Sequence, residues 1–271
     1  MNSTAIVLLN WRSAKDTVKC VESLIAAEIR QCDIIIVDND SQDESINVIK
    51  EHFTDVRVIE SGKNGGFAYG CNVGIRAALS SGYNYVWLLN NDTIVDKTTL
   101  PNMIEEIKRN KKAIVGSIIR DIEFPWSVQA VGGGTINFLT GTGRHIKTFD
   151  DVDKLDYLLG ASILVSREAL ESIGLLNEDF FMYWEDTEFC IRARRKGYFL
   201  KVAKQSNVYH KEGGSVNKES YAQTRMIFRS MRKFFLKESP FPLLPIAIRQ
   251  LGKTFVSLLR REFRRIPYIW L

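Results

Sequence analysis

The amino-acid sequence predicts an α/β protein built on a mostly parallel central sheet with helices on both faces. Short apolar runs alternate with segments whose apolar residues recur at helical spacing, and several of the runs end in polar residues. This alternation is typical of strand–helix–strand units, in which neighbouring strands are parallel. The chain has 271 residues, 45% of them hydrophobic and 25% charged, which suits one large α/β domain with an extension.

The first half of the chain shows the alternation most clearly. Thr4–Trp11 is predicted as a buried strand, and Ser13 as the N-cap of the helix that follows it. Asp33–Val37 is predicted as a second buried strand, and Ser41 and Glu44 then have the spacing of a helix capping box. Further strands are predicted at 56–59, 85–89 and 113–116, with helices from the Gly65-Gly66 turn to 81 and over 98–110.

The second half of the chain is less regular. Glycine clusters at 132–134 and 141–143 predict loops or a short hairpin between residues 120 and 157. Strands are predicted at 161–165 and 199–203, and a helix over 185–196 that ends before Gly197.

Polar side chains follow three of the predicted strands, where each strand ends. They are Asn10, Asp38–Asp40 and Asn90–Asp92. Ligands of open parallel sheets bind outside the carboxyl ends of the strands, so three such clusters predict a shared polar ligand; three ordinary turns are the alternative. Gly65 and Gly66 open a helix whose free N–H groups suit an anion. The turn lacks the dinucleotide-binding and P-loop patterns, which argues against a dehydrogenase and a P-loop ATPase.

A divalent cation is the predicted partner of this edge. Asp92 is the best candidate ligand, because Mg²⁺ is usually held by one or two carboxylates together with phosphate oxygens, and Mn²⁺ takes the same place. His210 offers an imidazole as a further ligand; an ordinary hydrogen-bonded histidine is the alternative.

Two acids, Glu185 and Asp186, follow the aromatic run Phe180–Trp184. Acids at a helix start are favoured by the helix dipole, so a capping role is one interpretation. The functional interpretation is that an apolar wall raises the proton affinity of a carboxylate and positions it as a general base.

Seven short motifs occur in a fixed order over residues 4–216, and together they carry a resemblance. They are Ile6–Trp11, Val37–Asp43, Asn64–Gly74, Leu88–Asp92, Gly160-Ala161, Phe180–Asp186, and His210 with Gly213-Gly214-Ser215. Each is a modest signal, but the ordered set resembles glycosyltransferase family 2, whose members have the GT-A fold, and especially its rhamnosyltransferase-like branch.

The resemblance implies which residues bind the donor nucleotide. Asn10, Asp38 and Asn39 would line the nucleoside pocket. Asn64 and Asn72 would shape the nucleotide side of the cleft.

The resemblance also implies a metal site. Asn90–Asp92 stands where the family carries its Asp-x-Asp motif, with Asp92 on a Mg²⁺ or Mn²⁺ ion and Asn91 near the ribose. His210 would be a second metal ligand. Asn90 departs from the first acid of that motif, so metal binding must depend on Asp92, His210 and the diphosphate. Asparagine is common here in the rhamnosyltransferase-like branch and does not imply loss of activity.

The implied reaction is an inverting transfer of a sugar from a nucleoside diphosphate donor to a saccharide or lipid-linked saccharide acceptor, in cell-surface polysaccharide synthesis. Asp186 would be the catalytic base, while Glu185 would cap the helix or contact the acceptor. The branch favours dTDP-rhamnose as donor. A sugar nucleotidyltransferase and a non-enzymatic membrane-surface scaffold remain as alternatives.

The last 51 residues differ in charge from the rest of the chain. Residues 221–271 contain eleven Lys and Arg against two acids, a net charge of +9, and we expect a helical extension to a catalytic domain at 1–220. Apolar residues at near-helical spacing among these bases predict amphipathic helices on an anionic membrane surface. Helices packed on the catalytic domain are the alternative; nucleic-acid binding is disfavoured because no recognised fold for it is present.

Cysteine usage and hydropathy favour the cytoplasm. The four cysteines include no C-x-x-C pair, so we expect reduced thiols and no zinc site. No secretory signal pattern precedes the first strand, and no apolar run reaches the ~20 residues of a membrane span. With the basic extension, this predicts a peripheral protein on the cytoplasmic face of the inner membrane.

Overall fold

The computed structural model describes residues 3–211 and 220–271, so the Gly213-Gly214-Ser215 motif lies outside the described residues. The strands of the described part are Thr4–Asn10 (β1), Ile34–Asp38 (β2), Arg57–Glu60 (β3), Tyr85–Asn90 (β4), Thr93–Val95 (β5), Ala113–Asp121 (β6), Val128–Val131 (β7), Gly133–Asn137 (β8), Thr142–His145 (β9), Tyr157–Leu158 (β10), Ser162–Ser166 (β11) and Phe199–His210 (β12). Its α-helices are Ala14–Ala26 (α1), Ser45–His52 (α2), Phe67–Ser80 (α3), Thr99–Arg109 (α4), Arg167–Ile173 (α5), Glu185–Arg195 (α6), Tyr221–Glu238 (α7), Leu243–Leu259 (α8) and Ile266–Trp270 (α9).

The main sheet is mixed, with the strand order β3-β2-β1-β4-β11-β6-β12-β5 and with β7 on β6. Its first four strands are parallel, whereas β11 runs antiparallel to both of its neighbours. Asn10 of β1 pairs with Asp38 of β2, and Leu9 of β1 pairs with Asn90 of β4. The carboxyl ends of these three strands therefore lie at one edge of the sheet, as the sequence predicts.

Helices cover both faces of the sheet, which confirms the predicted α/β class. Val7 points to a core that includes side chains of α3, α5, α6 and α7, and its neighbours Ile6 and Leu8 point to a core shared with α1, α2 and α4. Because successive side chains of a strand point to opposite faces, a strand buried on both sides reads as the continuous apolar run seen here.

Two glycines bring α3 close to β1. A Cβ atom at Gly70 would lie 2.2 Å from Leu9 Cδ1, and one at Gly74 would lie 2.4 Å from Val7 Cγ1. The Gly-x-x-x-Gly spacing in this segment therefore allows the helix to pack directly on the strand that carries Asn10.

Several local predictions were wrong in detail. Ser41 does not form a capping box, because α2 begins at Ser45 and the Ser41 hydroxyl instead donates to Asp38 Oδ1 at 2.6 Å. The final predicted strand at 199–203 extends to His210, and the short strand β5, which pairs with its end, was not predicted. The predicted short hairpin is confirmed, since β8 and β9 pair antiparallel.

The predicted C-terminal helices are present, and they are buried to different degrees. Phe228, Met231, Phe234 and Phe235 of α7 belong to the core that also includes Val7 of β1. By contrast, α8 leaves a row of large apolar side chains exposed, at Leu244, Ile248, Leu251, Phe255, Leu258 and Leu259. No helix among the described residues is long and apolar enough to cross a membrane.

Candidate active site

The ends of β1 and β2 form a buried hydrogen-bond network around the Asp38 carboxylate. Asn10 Nδ2 donates to Asp38 Oδ1 at 2.7 Å, and the Ser41 backbone N–H donates to Asp38 Oδ2 at 2.9 Å. The Asn10 side chain also accepts from Thr17 Oγ1 at 2.8 Å, and Asn91 Nδ2 donates to the same Thr17 hydroxyl at 2.8 Å. The network thus joins three strand-end residues that the sequence predicts to act together.

Ser41 and Thr17 are members of this network for which the sequence predicted no binding role. Ser41 was predicted as a helix-capping residue and Thr17 was assigned no role, because their partners in the network lie in other segments of the chain. A satisfied buried network of this kind holds its members in one geometry.

Asn39 and Asn64 lie together at the start of α3. Asn39 Nδ2 donates to Asn64 Oδ1 at 3.1 Å and to the Gly66 carbonyl at 3.2 Å. Gly66 has φ 88°, and a Cβ there would lie 2.1 Å from the Phe181 carbonyl oxygen, which accepts from Phe67 N at 2.7 Å. The glycine turn is therefore the point at which the loop preceding α6 packs against the strand-end cluster.

Asn72 is not part of that cluster. Its Nδ2 donates to the Leu176 carbonyl at 2.8 Å and to Glu178 Oε1 at 2.9 Å, and its Oδ1 accepts from Leu176 N at 3.0 Å. These bonds join α3 to the chain after α5.

Asp92 and His210 meet where β12 reaches the end of β4. His210 Nε2 lies 3.3 Å from Asp92 Oδ1 and 3.3 Å from Asn90 Nδ2. His210 Nδ1 lies 3.1 Å from Gln129 Oε1, which orients the ring with Nε2 towards Asp92. Gln129, on β7, gave no signal in the sequence.

This pair fits a divalent cation. Asp92 Oδ1 is buried and accepts no hydrogen bond from any described residue. A buried carboxylate oxygen without a donor is costly unless a cation or ligand compensates it. No group of three or more His, Cys, Asp or Glu suited to a metal occurs in the described residues, so two protein ligands would need phosphate oxygens to complete the coordination.

Asp186 is the second residue of α6 and is partly buried. Its Oδ2 accepts from Gly160 N at 2.8 Å, and its Oδ1 accepts from Thr187 N at 2.6 Å. Removal from water raises the pKa of the Asp186 carboxyl, and these backbone hydrogen bonds act in the opposite direction. Ala161, the next residue after Gly160, is bonded to the end of β4, because its carbonyl accepts from Asn90 N at 3.0 Å. A two-residue turn therefore joins Asp186 to the strand-end cluster.

Glu185 differs from Asp186 in its surroundings. It is only 6% exposed, and its Oε2 has no hydrogen-bond partner among the described residues. Burial, followed by the charge of Asp186, raises the pKa of Glu185 well above its ordinary value. Two adjacent acids with raised proton affinity are a feature of functional sites.

The loop before these acids is held by α7. Tyr183 and Trp184 have φ 69° and 72°, a left-handed conformation that is unfavourable for residues other than glycine. The Trp184 ring packs 4.8 Å from the Phe234 ring, and Ser230 Oγ donates to the Met182 carbonyl at 2.7 Å. Packing against α7 thus maintains the backbone that presents Asp186.

Comparison with a known protein family defines the class of protein to which this site belongs. The sequence model of glycosyl transferase family 2 matches residues 5–174. The chain belongs to this family and is a glycosyltransferase. The family decides against the sugar nucleotidyltransferase and the non-enzymatic scaffold.

Three curated relatives act on sugars according to their names. The low-salt glycan biosynthesis hexosyltransferase Agl10 of Haloferax volcanii is 25% identical over 245 residues, which is 87% of this chain and 75% of the relative. The dTDP-rhamnosyl transferase RfbF of Shigella flexneri is 21% identical over 234 residues, 82% of this chain and 76% of the relative. An N-acetylglucosaminyl-diphospho-decaprenol L-rhamnosyltransferase of Mycobacterium tuberculosis is 22% identical over 238 residues, which is 79% of this chain and 78% of the relative.

Solved structures confirm the GT-A fold. GalNAc-T7, solved with UDP, GalNAc and Mn²⁺, matches with a TM-score of 0.68 at 15% identity, over 89% of this chain and 49% of GalNAc-T7. The mannosyltransferase PcManGT of Pyrobaculum calidifontis, solved with GDP-Man and Mn²⁺, matches with a TM-score of 0.63 at 14% identity, over 98% of this chain and 72% of its own.

Proposed function

We propose that this glycosyltransferase is metal-dependent and inverting, and that it moves rhamnose from dTDP-rhamnose to a lipid-linked saccharide in cell-surface polysaccharide synthesis. One observation carries the proposal: Asp92 Oδ1 is buried without a hydrogen-bond donor among the described residues, and it lies in a strand-end cluster that is joined to Asp186. A cation beside Asp92 would compensate this buried carboxylate. Because Asp92 and His210 supply only two ligands, phosphate oxygens of the donor would complete the coordination of that cation.

The donor nucleotide is proposed to lie along the strand ends. Asn10, Asp38 and Asn91 present amide and carboxylate groups held by one network, and Asn39 forms a separate pair with Asn64 at the glycine turn. Donors and acceptors fixed in this way can hydrogen-bond the base and ribose without reorganising.

Asp92 and His210 would hold a Mg²⁺ or Mn²⁺ ion against the donor diphosphate. When bound, the ion neutralises charge on the leaving nucleoside diphosphate. The chain's own contribution is orientation: Gln129 holds the His210 ring, and Asn90 keeps the charge of the site low.

Asp186 is proposed to be the base. Its carboxylate takes the proton of an acceptor hydroxyl while that oxygen forms a bond to the anomeric carbon of the donor. The bond from the anomeric carbon to the diphosphate oxygen breaks, and its electron pair leaves with the nucleoside diphosphate. A single displacement from the opposite face inverts the anomeric configuration, and the hydrogen bonds from Gly160 and Thr187 fix the direction of the carboxylate.

The identities of donor and acceptor rest on the relatives. The name of RfbF gives dTDP-rhamnose as its donor, and the name of the mycobacterial relative gives an L-rhamnose transfer to a diphospho-decaprenol-linked sugar. The same chemistry is proposed here, since both relatives align over more than three quarters of this chain.

A lipid-linked acceptor requires a place at the membrane, and the extension 221–271 is proposed to provide it. The exposed apolar row of α8 is flanked by basic residues, which suits a helix lying at the surface of an anionic membrane. The catalytic domain, residues 1–220, would then act on the cytoplasmic face of the inner membrane.

A thermal-shift screen of dTDP-rhamnose, UDP-sugars and GDP-sugars, each with and without Mn²⁺, tests the donor and the metal. We expect the largest stabilisation from dTDP-rhamnose with Mn²⁺. Transfer is then measured with a synthetic diphospholipid-linked N-acetylglucosamine, with NMR of the product linkage. Equal stabilisation by the donor in Mn²⁺ and in EDTA would rule out metal dependence. Stronger stabilisation by another nucleotide sugar would rule out dTDP-rhamnose as the donor. Retention of the anomeric configuration in the product would rule out the single displacement.

A further inference from the structure

A cavity of about 410 Å³ lies where the chain after α8 meets the first turn of α7, and the proposed transfer reaction does not use it. Three arginines, one acid and two aromatic side chains surround it: Arg261, Arg264, Arg265, Glu262, Phe263 and Tyr221. Tyr221 is stacked on the Tyr268 ring at 5.1 Å, which holds this wall in place.

Two of the three arginines in the cavity have no carboxylate partner among residues 3–211 and 220–271. Arg265 is 6% exposed and its Nη1 donates to Glu262 Oε2 at 2.8 Å, so the acid of the cavity is already paired. Arg261 and Arg264 are exposed, and neither forms an ion pair within the part of the chain that the structure describes. Their guanidinium groups only donate hydrogen bonds, in the fork geometry that matches phosphate oxygens.

The backbone at Arg261 gives a second, independent indication. Arg261 follows the C-cap of α8 and has φ 57°. This is the left-handed conformation, and the residue that adopts it after a helix is usually glycine. Glycine adopts this conformation without strain, whereas a residue with a side chain does not. An arginine at this position is therefore unfavourable for the backbone, and its side chain lines the cavity.

One wall of the cavity is an exposed apolar side chain, and further exposed apolar side chains precede it in the chain. Phe263, in the cavity wall, is 60% exposed, and Phe255 and Leu259 of the preceding helix are 61% and 69% exposed. A ligand that satisfies both surfaces carries a phosphate group at one end and hydrocarbon at the other.

We propose that this cavity binds the phosphate head group of an anionic phospholipid while the exposed row of α8 lies in the acyl boundary. The inference rests on the membrane-surface placement in the proposed function and makes it specific. The same helix also contacts the loop that leads to Asp186: Tyr221 begins α7, and Gln223 Nε2 donates to the Tyr183 hydroxyl at 3.0 Å.

The test uses the full chain and vesicles of phosphatidylcholine, with or without phosphatidylglycerol, in a flotation assay. The double variant Arg261→Lys with Arg264→Lys keeps the net charge and removes the fork geometry, so we expect binding to phosphatidylglycerol vesicles to weaken by about tenfold. The matched control, Arg225→Lys with Arg260→Lys, changes two exposed arginines outside the cavity and should bind as the wild type does.

A second variant separates binding from folding. Arg261→Gly suits the left-handed backbone, so its melting temperature should equal or exceed that of the wild type while vesicle binding falls. If the lysine double variant binds as tightly as the wild type, attraction is a matter of charge alone and the cavity assignment is wrong.

Two further outcomes are informative. Wild-type protein that ignores phosphatidylglycerol vesicles would overturn both this site and the membrane placement, while leaving donor binding and transfer to be judged separately. Calorimetric binding of inorganic phosphate that is lost in the lysine double variant, together with unchanged flotation of that variant on phosphatidylglycerol vesicles, would assign the cavity to free phosphate and overturn the lipid proposal.

Discussion

Replacing Asp92 by asparagine is expected to stabilise the metal-free protein and to abolish its response to Mn²⁺. Asp92 Oδ1 is buried next to His210 Nε2 and accepts no hydrogen bond from a described residue. Asparagine has the same shape, carries no charge and offers an amide N–H to the imidazole. The substitution therefore removes both a buried charge that lacks a hydrogen-bond donor among the described residues and one of the two proposed metal ligands.

The magnitudes follow from this environment. Relieving a buried, unsatisfied polar group is worth roughly 1 kcal/mol or more, which in a chain of this size raises the melting temperature by about 2–4 °C. A nucleoside diphosphate with Mn²⁺ at about a hundred times its Kd stabilises the wild type by ~2.7 kcal/mol, or roughly 5–10 °C. In EDTA, Asp92→Asn should therefore melt about 2–4 °C above the wild type. It should not show the further rise in melting temperature that the nucleoside diphosphate with Mn²⁺ causes in the wild type.

The assay is a melting curve with dTDP, in EDTA and in Mn²⁺, supported by calorimetric titration. Asp96→Asn is the matched control: it removes an acid four residues away whose Oδ2 accepts from the Tyr209 hydroxyl at 3.2 Å. The control should keep the Mn²⁺ response and gain no stability. An undiminished Mn²⁺ response in Asp92→Asn would show that Asp92 is not a ligand, and a lowered melting temperature in EDTA would show that its charge is compensated within the protein.

The remaining predictions concern the acids and one glycine. Asp186→Asn should lower kcat by about 10²–10⁴-fold without changing donor affinity. Asp179 is an exposed acid before the same helix, and Asp179→Asn should leave kcat and donor affinity unchanged. A near-normal kcat in Asp186→Asn would refute the assignment of Asp186 as the base. The pKa of Glu185 is raised, so the folded state binds its proton more tightly and stability falls as pH rises above the ordinary value of 4.5. Glu185→Gln should therefore raise the urea midpoint at neutral pH and have little effect at acid pH, and a uniform effect would contradict this. Gly66→Ala should destabilise the folded protein by roughly 3 kcal/mol or more, because the added Cβ meets a backbone carbonyl. Gly62 also has a positive φ but open space around it, so Gly62→Ala should destabilise the protein by only about 1 kcal/mol. Equal urea midpoints for the two variants would count against the close contact at Gly66.

Local pattern was sufficient for most of the fold. The apolar runs at Thr4–Asn10 and Ile34–Asp38 became parallel neighbours, because a strand buried on both faces leaves a continuous apolar run in the sequence. The strand-end cluster followed from the same pattern, since parallel strands end at one edge. The direct packing of Gly70 and Gly74 on β1 was not predicted, because it depends on the position of α3 against the sheet.

Local pattern was insufficient where a polar side chain had a choice of partners. Ser41 has the spacing of a capping residue, but Asp38 and Asn10 on two paired strands offer it better hydrogen bonds. Asn72 lies in a motif that implies the nucleotide side of the cleft, yet it bonds to Leu176, more than a hundred residues away in the chain. Neither partner is visible within a few residues of sequence.

The sequence by itself determined the fold class, the strand-end cluster, the paired acids of α6 and the basic character of the extension, because each depends on residue type and short-range spacing. Only the tertiary structure decided that Asp92 Oδ1 lacks a donor, that Gly160 joins Asp186 to Asn90, and that α7 braces the loop before the acids while α8 exposes its apolar row. These features depend on contacts between distant segments, and such contacts form only when the chain has folded.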